Sequence, residues 1–382
     1  MKITDVEVIR LKVPLKEPWV SASLTMVERT VLVTKVYTDE GIIGLGDAYH
    51  AHVHRPEPMA SIVETVLKPV LIGEDPLKIE VLWRKMYKAM RHLGAAGIGA
   101  ISGVDIALWD ILGKSLNAPI YKLLGGGSVP PRMEPYVGSQ TMSWRKLDEL
   151  PDLVAEAESY VKQGYKTLKV RGGRGLPDRQ EDVAAFRALR DAFGNDIRIV
   201  VDVNNGYTLK SARVMAEHFV KYNIAWMEDP ILVSAERAPE TYAALSAAIN
   251  VPLAIGGNLF GRDPLRKVIS AGGIDIVKMD ASSAGGISEI VKMSHLAEAW
   301  NMKWAPVTHE PLGQLATLHA MAAASPILTD GMCVEWDPNW PLADFLTHPP
   351  RFEDGTIVLH DGPGLGTDIK PSFIEQFGVK HF

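Results

Sequence analysis

The chain has one cysteine, Cys333, in 382 residues, so no internal disulfide is available to it. That suits a reducing compartment, and Cys333, beside the strand-like CVEW, reads as a small buried residue. No stretch approaches the ~20 uninterrupted apolar residues that a membrane-spanning helix needs. The opening residues, MKITDVEVIRLKVPL, alternate polar and apolar and lack the apolar segment and small-residue cleavage site of a secretory signal. The expected location is the cytoplasm, with no membrane partner. A basic excess is missing as well: the formal net charge is −6 and the pI is near 6.0, which argues against nucleic acid as a partner. Gly44-Leu45-Gly46 has neither a third glycine nor a following helix, which excludes a dinucleotide fingerprint. What is present, 47% hydrophobic and 23% charged residues, describes a globular chain with a large core. Its length calls for a barrel-sized unit and a smaller partner.

The alternation of residues changes along the chain. ITDVEVIRLKV and RTVLVTKVYTDEG have the period of two expected of strands, the second closing on a turn at Asp39-Glu40-Gly41. Residues 57–125 turn helical, and AISGVDIALWDILGKSL stops near Asn117-Ala118-Pro119. Strands followed by helices predict an α+β unit over residues 1–128, with the turn formers of GGGSVPPR at its boundary. Over residues 129–337 the rhythm becomes strand then helix. The strand candidates are EPYVGS, TLKVRG, IRIVVDVN, IAWMEDP, PLAIGGN, DIVKMDA, KWAPVTH and CVEWD. Eight of them suit a closed parallel α/β barrel. Residues 338–382 are expected to fold back on the first unit.

In such a barrel the chemistry sits at the C-terminal ends of the strands. Asp202 and Glu228 end neighbouring strands, one strand–helix unit apart, and should point into one mouth. Either alone reads equally well as a helix cap. Together they would repel unless a cation lay between them, and oxygen-only ligands favour a hard ion such as Mg²⁺. His309 ends KWAPVTH and Asp280 ends DIVKMD on the preceding strand. A carboxylate beside an imidazole fixes its tautomer and raises its basicity, which a general base requires. His218, His295 and His319 fall in helical patterns and read as structural. Lys169 and Arg171, two apart in TLKVRGG, face the same side of a strand. Two cations inside a barrel need anions to meet them, and a carboxylate substrate together with Asp202 and Glu228 would supply those.

These motifs, in this order, resemble the enolase superfamily and its mandelate racemase-like subgroup. ISGVDIALWDILGKSLNAPIYKLLGG carries the resemblance early in the chain, PGLGTDI near its end, and GYKTLKVRGG, DVNNGY, MEDP, KMDASSAGG and CVEW in between. The resemblance implies a (β/α)7β-type TIM barrel with an N-terminal α+β capping domain. It implies Mg²⁺ on Asp202 and Glu228, and an Asp280–His309 dyad where the muconate cycloisomerase branch would carry a lysine. Glu335 takes the place of a carboxyl group that hydrogen-bonds the substrate carboxylate. Lys169, Arg171 and Asn204 would face the substrate, as would His50, which lies with His52 and His54 in a capping loop around Asp47–Arg55. A second capping loop is expected around Lys16–Glu28. The family also implies a homo-oligomer, with octamers among its forms.

Two positions depart from the family pattern. Gly257 stands where the third metal carboxylate is expected, directly before Asn258, and has no side chain to coordinate with. Losing one carboxylate should weaken Mg²⁺ binding, with Asn258 or a water as a substitute, because affinity tracks ligand charge. Arg171 stands where a lysine base is expected, and a guanidinium stays protonated. With His309 as the one base suited to the task, dehydration of an acid sugar through an enediolate is favoured over racemisation or epimerisation of a 2-hydroxy acid. A metal-poor relative that binds carboxylates without turnover is the third expectation.

Overall fold

The computed structural model spans Met1–Phe382 and describes all residues except 21, 23–24, 50–55, 128–130, 139–140, 145–146, 174–179, 232–236, 258, 308–309 and 381–382. The sequence begins as an antiparallel sheet of β1 (Ile3–Val20), β2 (Thr25–Thr38) and β3 (Ile43–Ala48). The turn between β2 and β3 uses Gly41 at φ 80, where a side chain would be strained. Helical segments between Glu57 and Ser115 cover this sheet, among them α1 (Ile79–Met90) and α2 (Gly94–Ser115). In α1 the buried residues Ile79, Leu82, Trp83, Met86 and Met90 recur at helical spacing and form its inner face. The glycines of Gly44-Leu45-Gly46 serve packing: a Cβ at Gly44 would strike the carbonyl of Ala107, and one at Gly46 the carbonyl of Gly103. Helix α2 is long and apolar enough to cross a membrane by length and composition. Its apolar window is 78% buried inside the protein, and it carries Asp105 and Asp110.

The second unit is an eight-stranded parallel sheet of β4 (Pro135–Val137), β5 (Thr167–Arg171), β6 (Arg198–Asp202), β7 (Ile224–Glu228), β8 (Leu253–Ile255), β9 (Ile276–Val277), β10 (Lys303–Trp304) and β11 (Val334–Trp336). Its order is β10-β9-β8-β7-β6-β5-β4-β11, and the N–H of Glu335 donates to the carbonyl of Pro306 at 3.2 Å, joining the two ends into a barrel. Tyr136, Val200, Trp226, Ala254, Ile276, Ala305 and Cys333 form one apolar layer inside it. Because side chains alternate along a strand, the residues two positions further on, including Asp202, Glu228, Lys278 and Glu335, make the next layer toward the C-terminal mouth. The fold class is thus a barrel capped by an N-terminal α+β unit.

Cap and barrel meet through buried polar contacts at two helix starts. Asp105 on α2 accepts from the backbone N–H and hydroxyl of Ser288, at 2.9 and 2.6 Å, where α4 (Ile287–Ala299) begins after the short α3 (Ala281–Ala284). Asp47 on β3 accepts from the N–H groups of Leu312 and Gly313, at 2.6 and 2.7 Å, where α5 (Pro311–Ala322) begins. Helix N-termini leave such N–H groups unsatisfied, so each carboxylate completes a helix of the other unit. Burial pushes the Asp47 carboxyl up to about 8, against the pull of its two N–H donors. The last described strand, β12 (Gly378–Val379), pairs with Arg10 and Leu11 of β1. His319 is wholly buried on α5 and accepts from the N–H of Tyr121; His218 and His295 also lie in helices.

Candidate active site

Strands β5, β6 and β7 pair in register so that Arg171 lies beside Asp202, and Asp202 beside Glu228. All three are buried, as is Lys169, two residues before Arg171. The Lys169 ammonium gathers carboxylates from three strands: Glu228 Oε1 at 2.8 Å, Asp202 Oδ2 at 3.0 Å and Glu335 Oε1 at 3.1 Å. Arg171 donates to Asp202 Oδ2 and, at 3.4 Å, to Asn204 Oδ1. The sequence led to the expectation that a carboxylate substrate together with Asp202 and Glu228 would meet these two cations; in the structure Asp202, Glu228 and Glu335 lie against them. Burial alone would lower the Lys169 pKa, but Asp202, Glu228 and Glu335 raise it above the ordinary lysine value. Burial would likewise raise Asp202, yet Lys169 and Arg171 hold it well below the carboxylate range.

Glu335 is held from two sides, by Lys169 and by the Tyr136 hydroxyl at 3.1 Å from Oε2. Space for it comes from Gly138 on the adjoining strand end, where a Cβ would lie 2.6 Å from Glu335 Oε1. Gly138→Ala is therefore expected to displace Glu335 and cost about 1–3 kcal/mol by overpacking. Urea unfolding measures that loss, and an unchanged midpoint would show that Glu335 moves aside freely.

Asp280 is fully buried and caps α3: its carboxylate accepts from the Ser282 N–H at 3.0 Å, the Ser282 hydroxyl at 2.7 Å and the Thr317 hydroxyl at 3.1 Å. Its expected partner His309 lies outside the described residues, as do Asn258 and His50. Their chain neighbours are placed, however. Glu310 is buried, its Oε2 has no hydrogen-bond partner, and burial pushes its pKa well above the usual carboxylate value. From the cap, Trp19 near the end of β1 covers the site, its ring 5.0 Å from the Arg171 guanidinium.

Sequence reasoning missed Lys278. It is completely buried; its ammonium lies 3.3 Å from Glu228 Oε2, donates to the Tyr136 hydroxyl, and sits over the rings of Tyr136 (4.8 Å) and Trp226 (5.5 Å). The signal was present in DIVKMD: the period of two that aims Asp280 into the barrel aims Lys278 there too.

A model described as the mandelate racemase / muconate lactonizing enzyme N-terminal domain matches residues 3–125, and one described as enolase C-terminal domain-like matches residues 152–373. The chain belongs to the mandelate racemase / muconate lactonizing enzyme family of the enolase superfamily. Within that family it is 31% identical to D-galactarolactone cycloisomerase of Agrobacterium fabrum, over 99% of both chains. It is 35% identical to D-galactonate dehydratase of Ralstonia pickettii, over 89% of each. A racemase from Streptomyces coelicolor A3(2), solved with bound magnesium, superposes with a TM-score of 0.88 at 26% identity, covering 99% of this chain and 100% of that one.

Magnesium in this family raises the question of its ligands here. Mg²⁺ demands near-octahedral oxygen donors at about 2.0–2.1 Å. Asp202 and Glu228 converge, as two metal ligands would, but on the Lys169 ammonium, and each has a second cation beside it, Arg171 and Lys278 respectively. Gly257 is buried and offers no side chain, and its carbonyl accepts from the Ser283 hydroxyl at 3.4 Å. Among the described residues no cluster of three or more His, Cys, Asp or Glu side chains could hold a metal ion. The described donor set thus does not fit a three-carboxylate Mg²⁺ centre.

Proposed function

We propose that the chain dehydrates an acid sugar, starting with removal of the proton beside the carboxylate. The carrying observation is the buried cluster in which Lys169 and Arg171 stand at the barrel mouth among carboxylates from three strands. Such a cluster is preorganised: cations already fixed in a water-poor site stabilise developing negative charge without further reorganisation. The names of the relatives, a D-galactonate dehydratase and a D-galactarolactone cycloisomerase, support acid sugars as the substrate class.

In this reading Lys169 and Arg171 meet the substrate carboxylate, with Glu335 and Asn204 as hydrogen-bonding neighbours. His309 takes the α-proton, leaving an enediolate. The electron pair then expels the β-hydroxyl, which leaves as water with the proton returned by His309, and the resulting enol becomes a 2-keto-3-deoxy acid. Asp280 orients the imidazole, its own orientation fixed by Ser282 and Thr317. Since the described donors do not fit a three-carboxylate centre, no step is assigned to Mg²⁺.

Incubating the protein with a panel of aldonic and aldaric acids in D₂O tests the reading. Deuterium at the α-carbon and accumulation of a 2-keto-3-deoxy product are expected for at least one member. Arg171→Lys would put a second titratable base into the site, so its product mixture should shift toward epimerisation. Equal interconversion of both epimers by the unmodified protein would instead establish the racemase alternative.

A further inference from the structure

Lys278 takes no part in the reaction just described, yet it is among the largest wholly buried side chains of the molecule. An ammonium without solvent contact is costly unless anions and dipoles surround it. Here it has Glu228 Oε2, the Tyr136 hydroxyl and two aromatic faces. The strand beside it is the one that ends at Gly257. β8 and β9 pair through Ala254–Ile276 and Ile255–Val277, and the next residue, Gly256, approaches so closely that a Cβ there would lie 2.9 Å from the Lys278 nitrogen of the backbone. Gly257, the position of the missing carboxylate, directly follows the glycine that packs on the Lys278 backbone across this strand pair.

Charge completes the comparison. Relative to a three-carboxylate centre, Gly257 takes away one negative charge and Lys278 brings one positive charge. Together they amount to two units, the charge of one divalent ion. Lys169, Arg171 and Lys278 stand against Asp202, Glu228 and Glu335 in ion pairs, three cations and three carboxylates, while the fourth carboxyl near them, Asp229, is pushed toward its uncharged form by burial and by Asp202 and Glu228. Every side chain in these ion pairs is buried.

We propose that Lys278 supplies, from within the fold, the positive charge that a divalent ion would otherwise bring to Asp202 and Glu228, so that the site balances its charge with side chains and binds Mg²⁺ weakly. Lys278 is then a positioning residue: it holds Glu228, which holds Lys169 toward the substrate. This rests on the barrel mouth being the reaction site.

The full chain, stripped with EDTA and dialysed, is titrated calorimetrically with Mg²⁺ and with Mn²⁺, alongside Lys278→Gln, Gly257→Glu and the double variant. Melting temperatures are recorded with Mg²⁺ and with EDTA. The unmodified chain should show no stoichiometric binding at micromolar concentrations and the same melting temperature in either condition. Lys278→Gln should bind more tightly, and the double variant tighter by at least about a hundredfold, since metal affinity follows ligand number and charge. The melting temperature of the double variant should rise with Mg²⁺. Tight stoichiometric binding by the unmodified chain overturns the proposal, as does a folded double variant with no gain. Should the double variant fail to fold, Lys278→Gln alone decides: tighter binding supports the proposal and unchanged binding overturns it. Deuterium exchange that stops in EDTA and returns with Mg²⁺ also overturns it. Absence of exchange on every acid sugar, with and without Mg²⁺, removes the dehydratase reading instead, and the titrations still judge Lys278.

Discussion

Lys169→Met is expected to lower the free energy of unfolding by about 3–5 kcal/mol at neutral pH, the range for breaking a buried ion pair from one side. The variant leaves Asp202, Glu228 and Glu335 facing one another without the ammonium that all three share. Methionine fills nearly the same volume, so the loss reports charge rather than a cavity. Urea denaturation followed by circular dichroism gives the number, and a loss below about 1 kcal/mol would mean that Arg171 and Lys278 suffice. The pH dependence adds a second check. Asp202 is held below its unfolded-state value of ~3.9, so its stabilisation is complete above that pH and is lost as the pH falls below it. The gap between the two proteins should therefore narrow on acidification below pH ~4.

His309→Asn is expected to reduce α-proton exchange by about 10²–10⁴-fold, the usual contribution of a positioned general base. Little else should change. The chain on either side of His309 is anchored: the carbonyl of Pro306 accepts the N–H that joins the barrel's ends, and the start of α5 is held by Asp47. Retained far-ultraviolet dichroism with lost exchange is the expected pair of results. Undiminished exchange would take His309 out of the reaction and direct attention to Glu310, whose buried carboxyl is pushed toward the protonated form.

The eight strands were legible because a barrel buries both faces of each strand, and their apolar runs stand out between amphipathic helices. Residues at strand ends were equally legible, since position in the run predicts which mouth they reach: Asp202, Glu228 and Glu335 do converge. Lys278 was not found, although the same alternation applied to it. A lysine in the middle of an apolar run also suits an exposed strand face, and its partners Glu228 and Tyr136 come from strands far away in the chain. Trp19 over Arg171 lay beyond any local pattern, because cap and barrel meet across more than a hundred residues of chain. The glycines at 44 and 46 were legible only as lacking a nucleotide motif, and their use, close approach of α2, depends on a helix sixty residues away.

The short pairing of β12 with Arg10 and Leu11 has a consequence for how the chain reaches this state during synthesis. Residues 378–379 follow the long β1–β2 hairpin by more than three hundred residues of chain, so that edge of the sheet stays unpaired while the intervening residues are made. Open edges invite pairing with other chains. The residues along β1 counter this with charge, Arg10 and Lys12 among them, while Leu11 between them becomes wholly buried. Closing a loop of this length costs entropy that grows only slowly with its size, so the late strand adds little penalty once the barrel has brought the two ends together. The sheet of the cap is thus completed by residues that are made after all eight barrel strands.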